Sequence, residues 1–161
     1  MVARKNEKLT VADWTFWMRG DLLPQEQQEV LHFMFTWMQY NSWYSKTYHM
    51  KDVLGSVQLS KNKAAQKVYN ALKNGFVQSF KMIPYKDEQG SRLGLYGKEK
   101  IIARFNSCNS SLYNYLKVIY KIRCNFFHGS KEPSAENIKL IIWAGQTLEQ
   151  LLYELKKNKV I

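Results

Sequence analysis

The stretch I-Y-K-I-R-C-N-F-F-H-G-S-K, residues 119–131, contains the pattern that decides both the predicted fold and the predicted chemistry. Apolar residues recur at helical spacing from Leu112 onward, and Arg123 falls on the same stripe. His128 is followed directly by a glycine, which is the usual residue just beyond a helix end. The stretch therefore predicts a buried helix over about residues 110–128 that carries a permanent cation and a titratable imidazole near one end.

Arg123 and His128 are suited to cleaving a phosphodiester. A guanidinium on an apolar stripe costs roughly several kcal/mol unless it is paired or faces a wet pocket or a subunit interface. An arginine can hold a phosphate through two parallel hydrogen bonds, and a histidine can exchange a proton near neutral pH. The same spacing also arises by chance in helical proteins, and a histidine at a helix end is often only a partner of the helix dipole.

Around this stretch the chain predicts an all-α, compact bundle of about four to five helices in one domain, residues 1–161. There is no internal repeat and no strand pattern. The predicted elements are a short aromatic helix or packed arm at 9–19, a long helix at 23–45, and a helix capped by Ser60 and extending to 83. They are followed by the helix at about 110–128, which we call the motif helix, and a last helix at 135–157.

Polar residues and glycines predict where these helices begin, end and connect. Asp21 is a candidate cap for the first long helix, with Pro24 near its first turn, and residues 46–59 are predicted to be a connection. Asn74-Gly75 predicts a kink or an early end of the next helix, and residues 84–97 form the clearest loop. The polar run 106–111 supplies a cap for the motif helix, as Ser134 does for the last one, in which Gly145 predicts close approach of a neighbour.

The helix predicted at 23–45 has more apolar residues than one stripe can hold. Both of its sides are therefore expected to be covered, either because it is central in the bundle or because its second face meets another subunit. His32 lies among these apolar residues and is interpreted as a core or interface histidine rather than a second catalytic one.

The chain is strongly basic, with a formal charge of +11. Between residues 53 and 131 there are fourteen Lys or Arg and three acidic residues, so most of the excess charge lies in the middle of the chain and around residues 119–131. Such an excess favours polyanions, above all nucleic acids, although it is also compatible with a merely soluble basic protein. The lysines of the helix that follows Ser60 are either a solvated face or a track for an RNA backbone: Lys63, Lys67, Lys73 and Lys81.

Two cysteines, Cys108 and Cys124, make neither a metal-binding pattern nor a disulfide framework, so a reducing, cytoplasmic setting is expected. The sequence predicts neither a signal peptide nor a membrane-spanning run. The three histidines are far apart in sequence, and no metal or cofactor is predicted.

The motif R-C-N-F-F-H-G, residues 123–129, resembles the R-x4-H signature of the HEPN superfamily, whose members read something like R-N-N-L-F-H-G. The arginine, the second asparagine, both apolar positions, the histidine and the glycine are present. Cys124 departs from the pattern, because Asn, Asp or His is common there. The resemblance implies a compact helical domain, a two-fold dimer with a composite site, and a metal-independent RNase.

The hypothesis is an endoribonuclease in which the RNA 2′-hydroxyl attacks the adjacent phosphorus and leaves a 2′,3′-cyclic phosphate. Arg123 would bind the phosphate, His128 would act as general base or acid, and Asn125 would orient the histidine or the substrate. Candidate substrate-binding residues are Tyr120, Lys121 and Lys131, although Tyr120 could equally serve packing.

Two other functions stay open at this point. The chain could be a non-catalytic RNA- or nucleotide-binding helical dimer in which Cys124 marks lost activity, or a purely structural dimer. The expected partners are RNA and a second copy of the chain, with an antitoxin or another protein as a further possibility, because small HEPN proteins are often toxins or abortive-infection factors.

Overall fold

The computed structural model describes residues 24–49, 52–83, 111–127 and 135–161. Within these ranges the chain forms five helices and no strand, which confirms the predicted all-α bundle. The helices are α1 (Pro24–Tyr48), α2 (Asp52–Lys61), α3 (Lys63–Lys81), α4 (Leu112–Phe127) and α5 (Ala135–Lys157). The expectations for residues 9–19 and 84–97, and the caps Asp21 and Ser134, lie outside the described residues.

The first long helix begins with Pro24 and continues to Tyr48, so it is three residues longer at its C-terminal end than predicted. Proline is favoured at the first helical position because its missing N–H has no intrahelical partner there. His49 follows with a positive φ of 52°, which ends the helix in a left-handed conformation.

The predicted connection at 46–59 is wrong, because Asp52–Lys61 forms a second helix, α2. A glycine and two serines lower the helical propensity of this segment and interrupt the apolar periodicity that would indicate a helix. Leu59 is fully buried in the core, so packing against the rest of the bundle outweighs weak propensity here.

A helix capped by Ser60 would begin at residue 61, but the third helix begins at Lys63. The predicted Ser60 cap is therefore also wrong. Asn62 is the cap: its side-chain oxygen accepts a hydrogen bond from the Ala65 amide at 3.0 Å. The Ser60 hydroxyl instead donates to the carbonyl oxygen of Val57 at 2.7 Å, within α2. The predicted interruption at Asn74-Gly75 does not end the helix, which continues to Lys81.

The last two helices lie close to their predicted positions. Ser111 caps α4, since its hydroxyl oxygen accepts a hydrogen bond from the Asn114 amide at 3.2 Å. The helix α5 has the predicted bounds, Ala135–Lys157. No helix among the described residues is long and apolar enough to cross a membrane.

The core is organised by α5, which packs most extensively against α1 and also against α3. The helix α4 contacts α2, α3 and α5. Tyr115 of α4 sits at the centre, where its ring packs 5.4 Å from Tyr69 and 5.3 Å from Phe76 between centroids. Its hydroxyl donates to the Thr147 hydroxyl at 2.9 Å, while complete burial raises the pKa of Tyr115 well above its ordinary value.

Gly145 is a point of close approach between α5 and α1, which confirms the predicted close approach of a neighbour. A Cβ atom at this position would lie 3.3 Å from the Cα and Cβ of Phe33 and 3.3 Å from Nδ1 of His32. The His32 ring also bridges the two helices, because its Nε2 lies 2.6 Å from a carboxylate oxygen of Glu149. His32 is thus a half-exposed contact between helices, with 34% of its side chain accessible.

The two interior glycines of α3 and α5 give opposite expectations for stability. Gly75→Ala should raise the free energy of unfolding by about 1 kcal/mol, because Ala has the higher helix propensity and an added Cβ meets no atom of the described residues within 4 Å. Gly145→Val should lower it by roughly 1–3 kcal/mol, because the added methyl groups press on the α1 backbone. Urea denaturation of the two variants and the parent chain measures both, and a Gly145→Val protein as stable as the parent would contradict the close approach.

Candidate active site

Arg123 lies one turn before the C-terminal end of α4, at the edge of that helix's buried surface. Leu116 and Ile119, which share its side of the helix, are 2% and 0% exposed, and Arg123 itself is half-buried. The predicted placement of a guanidinium on the apolar stripe is therefore confirmed. A charge in this position needs compensation from its neighbours.

Trp37 of α1 supplies part of that compensation. The Cζ atom of Arg123 lies over the indole ring, 5.7 Å from its centroid. Trp37 is only 2% exposed, and a neighbouring Tyr40 ring packs edge-on against it at 5.4 Å. Indole is the strongest aromatic partner for a cation, and the contact is worth about 1 kcal/mol or more where water is excluded.

This contact gives the site a fixed position for its cation. Arginine stays charged over the whole physiological pH range and retains five N–H donors that suit a phosphate or carboxylate. Because the indole ring is itself held in the core, the guanidinium is restrained by a rigid partner. Sequence analysis did not identify Trp37 as a site residue, since nothing in the sequence pairs it with a residue far along the chain.

Tyr120 also packs on Trp37, with 6.4 Å between the ring centroids. Its ring is half-buried, and this contact agrees with the packing interpretation of Tyr120 more directly than with substrate binding. Lys121 is half-buried. Lys117, one turn before it, has its ammonium 4.5 Å from the centroid of the Tyr113 ring, which is a second cation–π contact on α4.

Cys124, the position that departs from the motif, is half-buried and has a free thiol. The Nη1 atom of Arg123 donates to its sulfur at 3.9 Å. Sulfur is a weak acceptor, so this contact is a weak hydrogen bond. The side chain at position 124 is thus adjacent to the cation on which the predicted chemistry depends.

The remaining predicted site residues are only partly placed. Asn125 belongs to the last turn of α4, but its side chain lies outside the described part of the structure, and so do His128 and Lys131. In sequence His128 directly follows Phe127, the last residue of α4. Its approach to Arg123 therefore remains a prediction.

The other two histidines do not join this cluster. His32 contacts Glu149, and His49 is exposed at the end of α1. Among the residues that the structure describes, no three His, Cys, Asp or Glu side chains come together in a group that could hold a metal ion.

Comparisons with known proteins leave the family open: no family model, no curated protein and no solved structure matches this chain. The HEPN resemblance therefore rests on the motif residues 123–129 and on the helical architecture.

A double-mutant cycle can measure the contact between Trp37 and Arg123. Trp37→Leu and Arg123→Met should show a coupling of about 1 kcal/mol in the free energy of unfolding, because each single change removes the same cation–π contact. The matched control replaces Lys121, two residues earlier on α4, because residues at i and i+2 do not face each other. Lys121→Met should add to Trp37→Leu within about 0.5 kcal/mol, and equal coupling in both cycles would contradict a specific contact.

Proposed function

We propose that the protein is a metal-independent endoribonuclease of the HEPN type. The observation that carries the proposal is the half-buried guanidinium of Arg123, held over Trp37 on the helix that leads directly to His128 in sequence. A cation fixed in this way is suited to bind a phosphate and to stabilise the negative charge that develops on its oxygens. The net charge of +11 supports a polyanionic substrate.

The reaction is an internal transfer at phosphorus. The 2′-oxygen of one nucleotide forms a bond to the adjacent phosphorus, and the bond from phosphorus to the 5′-oxygen of the next nucleotide breaks. A base takes the proton from the 2′-hydroxyl, and an acid gives a proton to the departing 5′-oxygen. His128 is assigned one of these transfers, Arg123 neutralises the phosphate, and Asn125 orients the histidine or the substrate.

A cleavage assay tests this assignment. Purified protein incubated with labelled RNA in EDTA should release fragments that end in 2′,3′-cyclic phosphate. His128→Ala should reduce the cleavage rate by about 100-fold or more, which is the usual loss when a general acid or base is removed. Arg123→Ala should also reduce it strongly, because the phosphate loses its charged partner.

His49→Asn is the matched control for the histidine change. His49 is exposed at the end of α1 with a positive φ, a conformation that Asn tolerates better than most residues. This variant should cleave RNA at the parent rate. A folded His128→Ala protein that cleaves as fast as the parent would refute the proposed role.

The proposed site is composite, because one chain provides one motif histidine while the reaction uses two proton transfers. A second copy would supply the other across a two-fold axis. The helix α1 offers a surface for such contact: Leu31, Phe35 and Met38 share one side at i, i+4 and i+7 and are 39%, 59% and 58% exposed. Its opposite side holds Phe33, Trp37 and Tyr40 in the core, so both sides are apolar, as the sequence indicated.

Replacing Met38 by lysine tests this surface. Met38→Lys should shift the molar mass measured by light scattering from dimer to monomer and reduce RNA cleavage, because a charge would be buried without a partner at the contact. The matched control is Met82→Lys, since Met82 is an equally flexible side chain that is 84% exposed elsewhere. Equal molar masses for the two variants would exclude this side of α1 from the dimer contact.

Cys124 favours a second candidate function, a non-catalytic RNA- or nucleotide-binding dimer. Its thiol contacts Arg123 at a position where the motif usually has a polar group. In that case RNA would bind with an affinity that falls with salt, no cyclic-phosphate product would form, and binding would survive Arg123→Ala.

The biological setting that we propose follows from the resemblance. Small HEPN proteins are often toxins of toxin–antitoxin pairs or abortive-infection factors, so the proposed role is antiphage or toxin activity in the cytoplasm, with a possible antitoxin or other protein partner.

A further inference from the structure

One side of α3 combines lysines with amide side chains and is fully presented to solvent. Lys63, Lys67, Asn70, Asn74 and Lys81 stand at i, i+4, i+7, i+11 and i+18, which places them on one side of a helix, and all five are exposed. We call these five residues the α3 stripe. The opposite side of the same helix is buried, with Ala65, Tyr69, Phe76 and Phe80 all at 3% exposure or less.

The α3 stripe carries positive charge without local compensation. The helix Lys63–Lys81 contains four lysines and no acidic residue. No ion pair joins any of these lysines to another residue in the part of the chain that the structure describes. Surface lysines are commonly paired with nearby carboxylates or interspersed with them, so an acid-free helix side is a local source of positive potential.

The size and chemistry of the stripe suit an extended polyanion. Its ends are eighteen residues apart, which corresponds to about 27 Å along the helix. Three ammonium groups can contact phosphates, and the two amides between them can donate to phosphate oxygens or exchange hydrogen bonds with ribose hydroxyls. No aromatic side chain is part of the stripe, so it offers no surface for stacking bases.

We infer that the α3 stripe is a binding track for the sugar–phosphate backbone of RNA. This inference deepens the proposed function, on which it rests for the choice of RNA as the polyanion. It adds a second contact region, on a different helix from Arg123, that would hold the substrate without reading its sequence.

An anionic membrane surface is the competing partner, and the exposed side chains argue against it. Helices that lie on membranes insert a broad apolar side beside their basic one. Among the described residues of α3 and its end, Met82 alone is a large apolar side chain that is highly exposed, at 84%. One methionine does not form an apolar side, whereas amides interleaved with lysines match a hydrogen-bonding backbone.

The test compares two pairs of charge-removing substitutions in a His128→Ala background, in which the proposed cleavage is absent. Lys67→Gln with Lys81→Gln removes two charges from the stripe. Lys156→Gln with Lys157→Gln removes two exposed charges from the last turn of α5 and is the matched control. Circular dichroism melting confirms that each protein is folded, and binding to a fluorescein-labelled single-stranded RNA is measured by anisotropy over a range of salt concentrations.

The stripe pair should reduce the slope of log affinity against log salt by about 1.4, since each lost phosphate contact on a single strand contributes about 0.7. At 0.1 M salt this corresponds to roughly 25-fold weaker binding. The control pair should change the affinity by less than about 3-fold, because only the general charge of the molecule is altered.

Equal weakening by the two pairs would overturn the inference, because net charge alone would then explain binding. Absence of RNA binding by the parent at low salt, or stripe-dependent binding to phosphatidylserine vesicles without RNA binding, would overturn it as well. RNA that binds through the stripe but is never cleaved by the chain with His128 intact would contradict the proposed RNase and leave the track standing. If the stripe pair binds RNA as tightly as the parent, and the chain with His128 intact cleaves RNA normally, the track is refuted and the proposed RNase stands.

Discussion

The close contact between α1 and α5 at Gly145 is the constraint on which the position of the candidate site depends. The backbone of Phe33 fits against Gly145, where even one added carbon would lie only 3.3 Å away. Trp37 is one turn further along α1, so the register that buries Phe33 also fixes the indole beneath Arg123. The contact at Gly145 thus sets the position of Trp37 on α1, and Trp37 in turn holds the guanidinium of Arg123 on α4.

The two sides of α1 have different physical roles, although both are rich in apolar residues. Phe33, Trp37 and Tyr40 are nearly inaccessible and form part of the core. Phe35 and Met38 are more than half exposed, so the other described helices do not cover this side of α1. Exposed apolar side chains in succession on a helix are a common mark of a contact with another molecule, because isolated ones occur everywhere but contiguous ones do not. In the proposed dimer with its composite site, this surface would form the contact between the two copies.

The predictable parts of the fold were those in which one helix side repeats its apolar pattern over several turns. The helices α4 and α5 have such stripes, and their predicted bounds agree with the structure to within two residues. The helix α2 has only 10 residues and weak helix formers, so its stability comes from packing that its own sequence does not display. Ser60 and Asn62 offer the same capping chemistry two positions apart, so the sequence alone does not decide which of them caps α3. Trp37 was missed as a site residue for a related reason: its contact with Arg123 joins positions far apart in the chain, and a single sequence contains no signal for that pairing.

The distribution of cation types follows from the same physics. A half-buried ammonium at position 123 would be a compact, strongly hydrated point charge, which fits less well against an aromatic ring than a guanidinium does. A guanidinium keeps its charge there, and its delocalised, weakly hydrated plane can lie against an indole. The exposed cations of α3 face no such demand, and they are all lysines, whose flexible stems and compact charge suit loose contacts with a moving backbone. Under the proposed function, the restrained guanidinium of Arg123 would hold one phosphate in a single geometry, and the mobile lysines of α3 would retain the rest of the polyanion.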